Sequence, residues 1–229
     1  PSQADYFQAT KGGGHGDYRL IFLTPASAQE AHDFAAMAFD LADKYRNPVM
    51  ILTDGQLGQM MEPVVLKKKT SPPLPPKDWA LTGADGREQN IVRSLLLKEG
   101  ALEQLNYKLQ AKYKQVQKNE VRCEEYKVKD SEIIVVAYGV TARIARCAVN
   151  KARAEGITAG LIPTITLWPF PTDQISRIAD DPRVFLTVEM SCGQMVEDVK
   201  LAVAGKSPVL FYGRSGGGVP SVEQVLEQI

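Results

Sequence analysis

Histidine is nearly missing from this sequence, with His15 and His32 the only two. Cysteine is scarce as well. Cys123, Cys147 and Cys192 are scattered, odd in number and form no C-x-x-C pair, so neither a zinc site nor an iron–sulfur cluster is signalled. Such thiols fit a reduced, cytoplasmic protein. Net charge is absent: 27 Lys and Arg balance 27 Asp and Glu, which argues against an electrostatic nucleic-acid binder. No apolar run approaches the roughly 20 residues that a membrane-spanning helix needs. No Ser-His-Asp set and no metal-ligand cluster stands out.

What is present is a strand–helix grammar with clear punctuation. Leu20-Ile21-Phe22-Leu23 is an apolar run of strand type. Ser27 and Glu30 spell a capping box, and Ala31, Phe34, Ala38, Leu41 and Tyr45 recur at helical spacing. Pro48 stops that helix, and Val49-Met50-Ile51-Leu52 reads as a second strand ending in Thr53-Asp54-Gly55. One strand–helix–strand unit buries too little surface to fold well alone. Residues 1–60 therefore read as the latter part of a domain whose sheet partners and chemistry lie before Pro1, and the first strand is expected to be an unprotected edge.

From 61 to 129 the composition changes. Pro63, Pro72, Pro73, Pro75 and Pro76, with Lys67-Lys68-Lys69 between them, read as a semi-rigid linker. A long polar helix is expected over about 88–118, its seam formed by Leu95, Leu102, Leu105, Leu109, Tyr113 and Val116. Residues 130–229 alternate strand and helix, with strands at Glu132–Ala137, Thr158–Ile162, Val184–Val188 and Pro208–Tyr212. Capping boxes are read at Ser191/Gln194 and Ser221/Gln224. That alternation implies an α/β, doubly wound domain with a mostly parallel sheet.

Five residues are candidates for a site. His15 and Asp17 lie in the turn Gly12-Gly13-Gly14-His15-Gly16-Asp17. This turn precedes a strand, whereas a phosphate loop follows one and opens a helix, so it reads as a permissive turn whose His and Asp could face a site. Asp54 and Glu189 sit at strand ends, where open α/β sheets place ligands; each reads equally as a carboxylate that caps or pairs. Arg214 opens the loop Gly213-Arg214-Ser215-Gly216-Gly217-Gly218, which reads as a turn or subunit contact with a cation suited to phosphate.

The order of several short runs carries more than any one of them. His15-Gly16-Asp17, Leu23-Thr24-Pro25-Ala26-Ser27, Ala38-Phe39-Asp40-Leu41-Ala42-Asp43-Lys44-Tyr45 and Pro48-Val49-Met50-Ile51-Leu52-Thr53-Asp54-Gly55 are followed by Thr166-Leu167-Trp168-Pro169-Phe170-Pro171 and Val188-Glu189-Met190-Ser191-Cys192-Gly193-Gln194-Met195. Together they resemble the α subunit of 2-oxoacid:ferredoxin oxidoreductases, of the 2-oxoisovalerate or 2-oxoglutarate type. The resemblance implies a thiamine pyrimidine-type domain over 1–60, a linker with a long helix over 61–129, and a transketolase C-terminal-like domain over 130–229. It further implies oxidative decarboxylation of a 2-oxoacid to an acyl-CoA, with thiamine diphosphate and Mg in the full complex and coenzyme A as substrate. Iron–sulfur clusters on other subunits would pass electrons to ferredoxin. The implied partners are a β subunit that binds the thiamine pyrophosphate, a γ subunit and a ferredoxin-like subunit, with a homodimer possible; the implied location is cytoplasmic. The family's activating Glu falls upstream of Pro1 in this comparison and its Mg-diphosphate motif belongs to β, so no catalytic residue is assigned here and the isolated chain is expected to be inactive and not to bind the cofactor. A transketolase-like β chain of a 2-oxoacid dehydrogenase, and a non-catalytic scaffold, stand as alternatives.

Overall fold

The computed structural model describes residues 1–66 and 73–229; the lysine run at 67–69 and Pro72 lie outside the described residues. The chain opens with helix α1 (Tyr6–Lys11) and the exposed Gly12–Asp17 turn. It continues through β1 (Ile21–Leu23), α2 (Ala28–Tyr45), β2 (Val49–Ile51) and the short α3 (Gly55–Gln59). Residues 60–66 and 73–100 contain no helix or strand. Then come α4 (Ala101–Asn119), β3 (Ile133–Ala137), α5 (Gly139–Ala154), β4 (Ala159–Pro163), β5 (Thr166–Trp168) and α6 (Thr172–Ile178), followed by β6 (Val184–Glu189), α7 (Met195–Val203), β7 (Val209–Gly213) and α8 (Val222–Leu226).

Two sheets organise these elements. The larger has strand order β4-β3-β6-β7 and is parallel throughout, in keeping with the expected α/β class. Alternation along β3 divides its core, because successive side chains point to opposite faces. Ile134 and Val136 join one buried cluster, while Val135 and Ala137 join another under α5 and α8. The first cluster does not stop at the sheet. It runs through α6 and α7 into Tyr6, Phe22, Phe34, Leu41, Tyr113 and Trp168, so the first sixty residues and the large sheet share one core.

The smaller sheet corrects the expectation of an open first strand. Its order is β2-β1-β5, with β1 parallel to β2 and antiparallel to β5. The Thr166–Trp168 segment thus leaves the large sheet and pairs with β1, which makes β1 central and places Ile21, Phe22 and Leu23 at or near zero exposure. Residues 123–126 cover the β4 edge in the same manner, through Tyr126–Leu161 backbone bonds of 2.9 and 2.8 Å.

Two local expectations also change. The long helix starts at Ala101 rather than near 88, because Gly100 takes φ +73 in front of it, and Leu95 and Leu102 are exposed instead of lining a seam. Tyr113 and Val116 are buried as the spacing predicts. The Ser191/Gln194 capping box is not formed: Gln194 is the N-cap of α7 without a side-chain cap bond, and Ser191 turns to Glu189. The Ser221/Gln224 box is closed in both directions. At Ser27 only half of it forms, since Ser27 Oγ accepts from Glu30 N while the Glu30 carboxylate accepts from Ala26 N.

Candidate functional site

In an open parallel sheet, ligands bind beyond the carboxyl ends of the strands where the chain's direction of winding reverses. Here that point lies between β3 and its neighbour β6, since the chain passes from β3 outward to β4 and then returns to β6 on the other side. The crevice is filled by the protein's own N-terminal segment. Gln3, 5% exposed, donates its Nε2 to Tyr138 O at 2.9 Å, and its Oε1 accepts from Met190 N at 2.9 Å and Thr141 Oγ1 at 3.3 Å. The Gln3 backbone N donates to Met190 O at 2.9 Å, and Tyr138 Oη donates to Gln3 O at 3.0 Å. Gly139 makes this closeness possible. Its φ is +56, and a Cβ there would sit 3.1 Å from Gln3 Nε2 and 3.2 Å from Asp54 Oδ2.

Two of the five sequence candidates meet around this plug. Asp54 caps α3 by accepting from Leu57 N at 2.9 Å, and its second oxygen accepts from Val140 N at 3.3 Å. Glu189 is fully buried and closes the start of α7. Its oxygens accept from Ser191 Oγ at 2.7 Å, Gln194 N and Met195 N at 3.1 Å, and Val196 N at 3.2 Å. Carboxylates at a helix N-terminus satisfy orphan N–H groups and the helix dipole together. Burial, reinforced by the negative charges of Glu189 and Asp54, pushes the Tyr138 phenol well above its usual pKa. Tyr6 behaves likewise, through burial and through Asp198, to which it donates at 2.6 Å.

The other three candidates take different positions. Arg214 follows β7, and its backbone N donates to Glu189 O at 3.2 Å, but its guanidinium turns away to Gln224 Oε1 at 2.9 Å, inside the cap of α8. His15 and Asp17 stay in the exposed turn, which is held by Tyr18 Oη accepting from Gly13 N and Gly14 N at 3.0 and 2.9 Å. Gln3, Tyr138 and Thr141 were not foreseen as site residues. Gln3 and Tyr138 are 135 positions apart, and no local pattern connects them.

A second concavity, of about 290 Å³, lies between the N-terminal ends of α2 and α5 and the end of β4. Its charges are already spent on one another. Glu62 accepts from Ala28 N at 2.9 Å and pairs with Arg143, and Arg146 pairs with Glu124 at 2.5 Å. The Ala28 N–H bond and the Arg143 charge hold the Glu62 carboxyl below its usual range. This is a clasp between the first unit and α5 rather than a set of free acid–base groups.

Comparison with known proteins then settles the lineage. Residues 1–127 match the family described as pyruvate flavodoxin/ferredoxin oxidoreductase, thiamine diP-binding, and residues 131–225 match pyruvate:ferredoxin oxidoreductase core domain II. The chain belongs to the pyruvate flavodoxin/ferredoxin oxidoreductase family. It is 49% identical to ketoisovalerate oxidoreductase subunit VorB of Methanothermobacter thermautotrophicus over 229 residues, which is all of this chain and 65% of that one. It is 32% identical to 2-oxoglutarate synthase subunit KorA of Methanothermobacter marburgensis over 256 aligned residues, covering all of this chain and 68% of the relative. A 2-oxoglutarate:ferredoxin oxidoreductase from Magnetococcus marinus, solved with 2-oxoglutarate, coenzyme A and succinyl-CoA bound, shares the fold at TM-score 0.74 and 19% identity, covering 99% of this chain and 44% of that one. The chain thus spans about two thirds of the length of the ketoisovalerate relatives it matches.

At the crevice, the N–H groups at the start of α7 are taken by Glu189, and both strand-end carboxylates are committed to backbone donors. Among the described residues no group of three His, Cys, Asp or Glu side chains is placed to hold a metal ion.

Proposed function

We propose that this chain is part of the α-type subunit of a 2-oxoacid:ferredoxin oxidoreductase that converts a branched-chain 2-oxoacid such as 2-oxoisovalerate to its acyl-CoA and passes the electrons to ferredoxin. What carries the reading is the 49% identity to a ketoisovalerate oxidoreductase subunit across the whole chain, against 32% to a 2-oxoglutarate synthase subunit. The role of these residues follows from their geometry. The strand-end carboxylates Asp54 and Glu189 at the crevice are engaged with backbone donors. The chain builds a continuous core and a closed sheet edge, the rigid frame on which a cofactor held elsewhere in the assembly is oriented. Thiamine diphosphate with Mg belongs to the full complex, and the iron–sulfur clusters to partner subunits among those of β, γ and ferredoxin-like type, working in the cytoplasm.

The test uses the assembled enzyme containing this chain, supplied with coenzyme A and oxidised ferredoxin. Reduction of ferredoxin with 2-oxoisovalerate is expected at a kcat/KM at least about tenfold above that with 2-oxoglutarate or pyruvate, since a mismatched pocket costs about 1–3 kcal/mol. A preference for 2-oxoglutarate would move the chain to the other branch of the family. Activity with lipoamide in place of ferredoxin would overturn the reaction class.

A further inference from the structure

The segment 73–100 is ordered without helix or strand, and it wears its apolar side chains outward. Arg87 donates to Ala80 O, Asn90 Nδ2 to Asp78 O at 2.7 Å and to Ala80 O at 3.0 Å, and Lys77 pairs with Asp43 at 2.6 Å, so its path is fixed. Yet Leu81, Ile91, Val92, Leu95 and Leu97 are 57–84% exposed. An ordered patch of outward leucine, isoleucine and valine side chains marks a contact surface.

Beside that patch lies a groove of about 680 Å³ between the end of α2, residues 78–93 and α4. Four cations line it, Arg46, Arg93, Lys108 and Lys112, against one carboxylate, Asp78. None of the four has an ion-pair partner among the described residues. Arg46 lies over the Trp79 ring at 4.6 Å, and Lys112 donates only to neutral acceptors, Asn47 Oδ1 at 2.9 Å and Arg46 O at 3.2 Å. Burial, together with the neighbouring Arg46 charge, pulls the Lys112 pKa below its usual value. Elsewhere Arg153, Arg146 and Lys151 each hold a carboxylate.

We propose that the groove and the adjoining apolar face of residues 81–97 are the docking surface for an acidic, apolar-bearing segment of a different polypeptide. Charge complementarity selects the acidic partner. The outward apolar side chains extend well past the cations, farther than a small anion could cover, and this selects a polypeptide. A second copy of this chain is the poorer match, because much of its own surface acid, as at Asp130, Glu124 and Glu223, is already paired within the molecule. The inference goes beyond the reaction assigned above, and its test reads contact rather than turnover.

The experiment places a benzophenone amino acid at Val92 in the full chain, purified within its native assembly and irradiated. Mass spectrometry is expected to find the crosslink in another polypeptide, on a peptide with more Asp and Glu than Lys and Arg and with leucine-type side chains. Yield is expected to fall about tenfold between roughly 50 and 500 mM salt, as exposed charges are screened. Paired R93E and K108E substitutions should lower it as much at low salt and remove the salt dependence, with an unchanged thermal midpoint. Should that double variant misfold, R93Q with K108Q in the same assay is expected to give an intermediate loss. Crosslinks confined to this chain, to a second copy, to nucleic acid, or to a neutral or basic segment would overturn the proposal. So would a yield indifferent to salt and to charge reversal, or no crosslink at all.

Discussion

The two sheets solve the same problem differently. The four-stranded sheet is continuous and parallel, and its ligand crevice is closed by Gln3 and its helix start by Glu189. The three-stranded sheet is built from three-residue strands and takes one of them, β5, from the far side of the sequence. Each region supplies what the other lacks: β5 covers β1, and the N-terminal segment fills the large sheet's crevice. A boundary drawn near residue 130 therefore separates family segments without separating cores. The lesson is that buried charge here holds elements together.

The largest expected effect comes from breaking the closure of the large sheet. Glu189→Ala should destabilise the chain by about 3–5 kcal/mol, because at least two buried N–H donors lose their acceptor at roughly 1–3 kcal/mol each. Urea unfolding followed by circular dichroism and by tryptophan fluorescence should show one shared transition moved to lower urea. Trp168 lies in β5, against the first unit, so coincident curves report that the two sheets melt together. A loss under about 1 kcal/mol, or two separated transitions, would show the regions to be independent.

That comparison also explains what was legible beforehand. β3, β6 and β7 could be read because apolar runs bounded by turns hold whatever packs on them. The helix of α2 was marked by Ser27 and Pro48. Short-range signals failed where a distant residue offered a better partner. Ser191 and Gln194 spell a capping box, but the buried Glu189 carboxylate takes the donors of α7 and Ser191 as well. Leu95 and Leu102 fit a helical seam by spacing, but Gly100 at φ +73 interrupts it and both side chains face outward. The plug at Gln3 and the β1–β5 pairing join residues more than 130 positions apart, and local periodicity carries no trace of them. For the site, Asp54 and Glu189 were found as strand-end carboxylates; their engagement with backbone donors was open until the structure fixed it.

A smaller effect is expected beside the small sheet, where Glu120 is a buried acid. It is 3% exposed and accepts from Tyr45 Oη at 2.6 Å, Lys44 Nζ at 2.7 Å and Arg122 at 3.0 Å. Burial alone would raise its pKa, but the bonds from Lys44 and Tyr45 and the Arg122 charge outweigh it and hold the carboxyl below its usual value. A depressed folded-state pKa contributes stability that is complete above the unfolded value, near 4.3, and is lost as pH falls through the folded one. Glu120→Gln should cost about 2 kcal/mol at neutral pH. This is less than the roughly 3–5 of a fully buried pair, because Lys44 and Arg122 reach solvent. The gap between the two proteins should stay level above about pH 5 and narrow toward acid. A gap that widens toward acid would reverse the assignment.

The smallest effect sharpens the contrast between helix starts in the two regions. At Ser221 both halves of the box are closed: Ser221 Oγ accepts from Gln224 N, and Gln224 Oε1 accepts from Ser221 N, each at 3.1 Å, with Arg214 steadying that same oxygen at 2.9 Å. Helix α8 has five residues and one buried side chain, Val225, so the cap is a large share of what holds it. At Ser27 the cap is half-formed, but α2 has eighteen residues, buries Phe34, Leu41 and Tyr45, and has Glu62 accepting from Ala28 N as a second anchor. Loss of a Ser cap costs typically about 1 kcal/mol in either place. The consequence should differ in extent rather than in size. Ser221→Ala should release the amides of residues 224–229 to fast hydrogen exchange while the protection of β3 barely changes, because a short helix with little buried surface opens on its own. Ser27→Ala should leave the middle of α2 protected and lower global stability instead. If Ser221→Ala left the C-terminal amides as slow as before, α8 would be held by its packing on α5 and not by its cap. The same measurement on Ser27→Ala would then have to show local fraying for the contrast between the two regions to survive in any form.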